Sequence, residues 1–129
     1  MRASEASLAE AAGAPLQGVF MTSGGPQSTP DGIAMVARFC EQRRLPAVAD
    51  VASLIFRTAG VATYSPDFSE LGVRGASFVD RIFRGAKPGE LPIEHPTKFD
   101  LILNLKTAQA LRVTLPKAVV LRADHVISR

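Results

Sequence analysis

Three short apolar runs in this chain are each followed by residues able to hold a small polar molecule. Thr22, Ser23 and Gly24 follow the first, Asp50 the second, and Tyr64 and Ser65 the third. Hydroxyl groups and a glycine backbone that allows close approach can grip a polar ligand. A carboxylate at Asp50 can accept from an ammonium, and Tyr64 offers an aromatic face with a hydroxyl. Each residue also reads plainly as a turn or cap residue. Together they describe a polar rim for a small molecule. They do not describe a reaction centre, because no nucleophile stands beside an activating base.

Other chemistry is thin. The sequence holds no Gly-x-Gly-x-x-Gly, no phosphate-loop Gly-Lys-Ser/Thr, no Gly-x-Ser-x-Gly and no His-Glu-x-x-His. His95 and His125 stand singly, which is not a metal-ligand spacing. Asp67 and Glu70 read as a capped helix start. Cys40, the single cysteine, falls in the apolar pattern of a helix and reads as core. The expectation is a binding protein, not an enzyme, with no catalytic residue, no metal and no cofactor.

The elements that must place the rim alternate. Residues 3–12 are Ala-rich helix formers stopped by Gly13 and Pro15. A buried strand is expected at 17–22. A helix over 30–43 follows, capped by Ser28 or Thr29, with Pro30 in its first turn and Arg43 and Arg44 at its end. Leu45–Ala49 and Val61–Tyr64 are the next strand candidates, with a helix at about 50–58 between them. A helix opened by Ser65-Pro66-Asp67 carries Leu71, Gly75, Phe78, Val79, Ile82 and Phe83 on one apolar face, and Gly85 suits its C′ position. Beyond it come an extended Pro-rich stretch, a strand Phe99–Leu105, a helix Thr107–Leu111, a helix started by Pro116, and a terminal run His125–Ile127. Short apolar strands alternating with helices predict an α/β fold, a parallel sheet with helices on both faces.

At 129 residues the chain suits one domain, and 21% charged residues suit a globular one. The net charge is +3, but the arginines are interleaved with acids and Tyr64 is the one tyrosine, so no nucleic-acid surface is expected. No apolar run is long enough to span a membrane. The stretch MRASEASLAEAAGAPL lacks a continuous apolar centre and reads as no secretory signal, which would leave the chain cytoplasmic.

Residues 84–111, RGAKPGELPIEHPTKFDLILNLKTAQAL, carry a more specific mark. Gly85-Ala86-Lys87-Pro88, Leu91-Pro92, Pro96-Thr97-Lys98-Phe99 and Asn104-Leu105-Lys106-Thr107-Ala108, continued by Leu115-Pro116 and Arg122-Ala123-Asp124, resemble the C-terminal half of bacterial ABC transporter substrate-binding proteins. The branch is the one that includes tryptophan- and tyrosine-type binding proteins. The resemblance covers about residues 17–128. It implies one lobe of a type I periplasmic-binding fold, a solute held between two lobes, ABC permease subunits as partners, and a periplasmic or extracytoplasmic location. It implies a solute that is an amino acid or aromatic compound. Some members carry an Asp-Asn pair where this chain has Met21-Thr22-Ser23-Gly24-Gly25, so amino-acid specificity does not transfer.

On that resemblance, residues 1–16 are an N-terminal helix and connection, and 17–85 the ligand-binding lobe. Residues 86–98 are a hinge crossing with Pro92, Pro96, Thr97 and Lys98 as hinge residues, and 99–129 would complete a first lobe lying outside the chain. Strand 99–105 would then lack neighbours. The expectation is either self-association through that strand or folding of 99–129 back onto the lobe. A stand-alone α/β ligand-sensing or regulatory module without a transport role is the alternative.

Overall fold

The computed structural model describes residues 8–13, 15–24, 29–51 and 60–128. In chain order the elements are strand β1 (Val19–Met21), helix α1 (Pro30–Arg43), strands β2 (Ala47–Ala49) and β3 (Gly60–Pro66), and helix α2 (Phe68–Phe83). A 3-10 turn (Pro88–Glu90), strand β4 (Phe99–Asn104), helices α3 (Leu105–Ala110) and α4 (Lys117–Val120), and strand β5 (His125–Ile127) follow. The start of the N-terminal helix, Gly25, the Ser28 cap and most of the helix expected at 50–58 lie outside the described residues.

The strands form one five-stranded sheet in the order β1-β2-β3-β4-β5. Pairs β1–β2, β2–β3 and β4–β5 are parallel, the arrangement expected of short apolar strands. Helix α1 starts where its cap predicts. Thr29 Oγ1 accepts from Gly32 N–H at 3.2 Å, and Pro30, which has no N–H to leave unpaired, sits in the first turn. Its face of Ile33, Val36 and Cys40 meets Met21, Leu45, Ala47 and Ala49 to make the core.

Three helices stop in the same way. After α1, Arg44 N–H donates to Glu41 O and Leu45 N–H to Cys40 O. After α2, Gly85 and Ala86 do the same to Ile82 and Arg81, and after α3, Arg112 and Val113 to Gln109 and Ala108. This is the Schellman pattern, which needs a left-handed residue at its turning point. Gly85 has φ 100°, but Arg44 (53°) and Arg112 (57°) occupy the same place with a Cβ.

The structure corrects the expected edge strand. β4 lies between β3 and β5, and Leu103 is fully buried. Asp124 also fastens Leu101, whose N–H donates to Oδ2 at 2.8 Å and whose carbonyl accepts from Asp124 N–H at 2.9 Å. Of the two expectations for 99–129, folding back is the one found. Pairing with another chain through 99–105 is not available to a strand already flanked on both sides.

The described residues group into two compact units: those up to Ser65 together with those from Asp100 onward, and Pro66–Phe99. The second unit holds α2, whose apolar face reads as core in the sequence, yet α2 has no buried residue.

Candidate functional site

In the first unit the register aligns Met21 with Ala49 and Ala49 with Thr63. The next residues, Thr22 and Asp50, therefore leave the carboxyl ends of β1 and β2 level with Tyr64, which lies two residues before the end of β3. That is where open α/β sheets bind ligands, because the loops leaving those strands are free to diverge while the sheet fixes their roots.

Ser23 and Asp50 are brought together across 27 positions. Ser23 N–H donates to both carboxylate oxygens of Asp50, at 2.8 and 3.0 Å, and its hydroxyl to Oδ2 at 3.2 Å. Asp50 N–H donates in turn to Met21 O at 3.1 Å. The carboxylate thus braces the loop after β1 as well as edging the rim. An ionised carboxylate has about four acceptor positions, so capacity remains for a ligand donor. Gly24, with φ 99°, turns the chain directly after this brace.

Tyr64 is 59% exposed, so its ring is open to solvent at the rim. Ser65 is 1% exposed and faces the opposite side of β3 by strand alternation. The structure therefore places Thr22, Ser23, Gly24, Asp50 and Tyr64 together and Ser65 apart from them. Thr63 also alternates to the buried side, and its Oγ1 has no hydrogen-bond partner. No motif signals it, because a Thr in an apolar strand reads as ordinary β-propensity.

The predicted hinge residues lie in the second unit, and two of them are tied to α2. Lys98 Nζ meets Asp67 Oδ2 at 2.7 Å, and Lys98 O accepts from Asp67 N–H at 3.1 Å. Thr97 Oγ1 accepts from Arg74 at 2.9 Å and donates to Glu70 at 3.1 Å, while Arg74 also reaches Glu94 at 3.1 Å. Asp67 is at once the cap of α2, accepting from Ser69 and Glu70 N–H groups. The hydrogen bond from Lys98, with the two backbone donors, holds its carboxyl below the usual range. The Glu70–Arg74 helical spacing is the one sequence signal for this network. Pro92 is exposed and Pro96 half-buried in the same extended stretch.

Among the described residues, no group of three or more His, Cys, Asp or Glu could hold a metal ion, and no helix is long and apolar enough to cross a membrane. Cys40 is fully buried, and desolvation followed by the nearby Glu41 charge pushes its thiol up to about 11. It belongs to the core.

The chain is similar to several proteins of known structure. A conserved domain protein from Vibrio cholerae O1 biovar El Tor superposes with a TM-score of 0.82 at 24% identity, over 95% of this chain and 40% of that one. An ABC domain in complex with L-Trp from Streptococcus pneumoniae gives 0.82 at 20% identity, over 96% and 40%. The ligand-free, open form of a substrate binding protein with adhesive properties from Clostridium difficile gives 0.61 at 15% identity, over 100% and 43%. The chain thus spans about two fifths of these structures, which establish its α/β fold. No curated protein matches it. The family model of ABC transporter substrate binding proteins matches residues 20–127, nearly the whole described sheet and both sets of predicted residues, and the chain belongs to that family.

Proposed function

We propose that this chain is a solute-binding part of an ABC-type importer. It holds a small molecule at the rim of Thr22, Ser23, Gly24, Asp50 and Tyr64, and a second lobe and permease subunits complete delivery. The family match over residues 20–127 carries the reading. The placing of Thr22 and Asp50 just past the carboxyl ends of β1 and β2, with Tyr64 level with them on β3, supports it. The location is then extracytoplasmic and the role non-enzymatic.

The chemistry of the rim favours an amino acid or another small aromatic amine. Asp50 offers negative charge to an ammonium, the Thr22–Gly24 turn offers hydroxyls and backbone groups to a carboxylate, and Tyr64 offers an exposed ring for stacking. The Streptococcus pneumoniae structure that this chain resembles contains L-Trp, which makes L-Trp the first probe.

The test is an NMR titration of the isotope-labelled chain with L-Trp, then with the other amino acids. Half a clamp is expected to bind weakly, at roughly millimolar Kd, because a ligand gripped on one side buries little surface. Shifts concentrated at Thr22–Gly24, Asp50 and Tyr64, and lost in Asp50→Ala, are the expected result. Shifts confined to other regions, or none with any amino acid, would overturn the assignment.

A further inference from the structure

Ser23 is exposed at the rim, yet both of its donors are spent within the protein. Its N–H is shared between Asp50 Oδ1 at 2.8 Å and Oδ2 at 3.0 Å, and its hydroxyl donates to Oδ2 at 3.2 Å. A serine has one backbone and one hydroxyl donor. Ser23 therefore keeps no hydrogen to give a solute carboxylate.

The same bonds divide the work between the two oxygens of Asp50. An ionised carboxylate has about four acceptor positions, about two on each oxygen. Oδ2 takes both a backbone and a hydroxyl donor, whereas Oδ1 takes the backbone donor alone. These bonds fill Oδ2 and leave the open position on Oδ1. The root of Asp50 is fixed as well, by its N–H to Met21 O at 3.1 Å and by the register that sets Met21 beside Ala49. An unbraced aspartate side chain turns about its torsions, and a solute that binds it must first stop that motion. Ser23 has stopped it in advance, which lowers the cost of binding.

We propose that Ser23 is a positioning residue: it holds the Asp50 carboxylate so that Oδ1 receives the ammonium of the solute, and it does not itself touch the solute. This rests on the solute reading of the rim and adds which atom takes the charged end and which residue aims it. A specificity follows. The rim demands an amine and discriminates against acids that lack one, because a carboxylate brought to Asp50 meets like charge.

NMR titration of the 129-residue chain with related indoles tests this. L-Trp carries both charged ends, tryptamine lacks the carboxylate, and indole-3-propionate lacks the ammonium. The native chain is expected to bind L-Trp and tryptamine, and indole-3-propionate at least about tenfold more weakly. Ser23→Ala keeps the N–H bonds and loses the hydroxyl. It should weaken L-Trp and tryptamine alike, by about three- to tenfold, and leave indole-3-propionate unchanged. Ser23→Thr, which restores a hydroxyl, should recover the native values. The amide resonance of residue 23 checks that the loop keeps its place in each variant. If a different amino acid is the one bound, its decarboxylated and deaminated forms replace the indoles. Equal weakening of every probe in Ser23→Ala would overturn the positioning role. So would binding that Asp50→Ala removes and Ser23→Ala leaves intact, an outcome that spares the solute reading. No binding of any amino acid by the native chain would overturn both.

Discussion

Asp67 and Lys98 are joined twice: by an ion pair of 2.7 Å between their side chains and by a hydrogen bond of 3.1 Å from Asp67 N–H to Lys98 O. The pair ties the residue that starts α2 to the residue that precedes β4. It thus closes the second unit at the two points where the chain enters and leaves it. Asp67→Ala removes the ion pair and the α2 cap together. Faster amide hydrogen exchange at Ser69 and Glu70 is expected, with the core of the first unit unaffected. Lys98→Met should reproduce only part of this, because the cap remains.

The same pair sets an acid dependence. The Asp67 carboxyl titrates below its ordinary value of 3.8. The folded state therefore binds fewer protons there than the unfolded chain. Its stabilisation is fully present above about pH 4 and is lost as pH falls through the lowered folded-state value. Amide exchange at the start of α2 should accelerate below that pH in the native chain, and the acceleration should be absent in Asp67→Asn. The carboxyl resonance of Asp67 gives a direct check.

Cys40 behaves oppositely. Its thiol is raised from 9.0 to about 11, so the folded state keeps a proton that the unfolded chain releases. Its contribution is present below about pH 9 and is lost as pH rises toward 11. At pH 8 alkylation of the native chain should proceed only through unfolding and should quicken sharply in urea.

The shared helix stop gives a stability series. Arg44→Gly and Arg112→Gly relieve a Cβ in left-handed backbone and should each stabilise by about 0.5–1 kcal/mol after glycine's entropic cost. Gly85→Ala should cost about 1 kcal/mol, and nothing crowds its Cβ, so the whole cost is conformational. Urea midpoints at constant slope would measure all three.

Leu103→Ala should destabilise by about 2–5 kcal/mol, since the side chain is fully buried in a central strand. An effect below about 0.5 kcal/mol would return β4 to the status of an exposed edge.

Local chemistry made much of the fold legible. Thr29, Pro30 and Asp31 announce α1, and its bounds match the residues expected. The terminal run His125–Ile127 forms β5, and Gly85 ends α2 as read. Strand lengths were less legible. β3 runs from Gly60 to Pro66, absorbing Ser65 and Pro66, which have the composition of a turn. A turn signal is a local preference, and ladder pairing overrides it.

The rim divides along the same line. The sequence by itself determined that Thr22 and Asp50 each follow a strand, because apolar runs and turn residues mark strand ends in any fold, whereas Tyr64, read the same way, lies inside β3. Only the tertiary structure decided that the parallel register sets them in a row, that Ser23 and Asp50 join, and that Ser65 turns inward. Those outcomes depend on pairing between residues far apart in the chain, which no local pattern encodes. The apolar face of α2 shows the limit most plainly. Its periodicity states that the face must be covered, but whether a covering surface exists is decided only when the chain is folded.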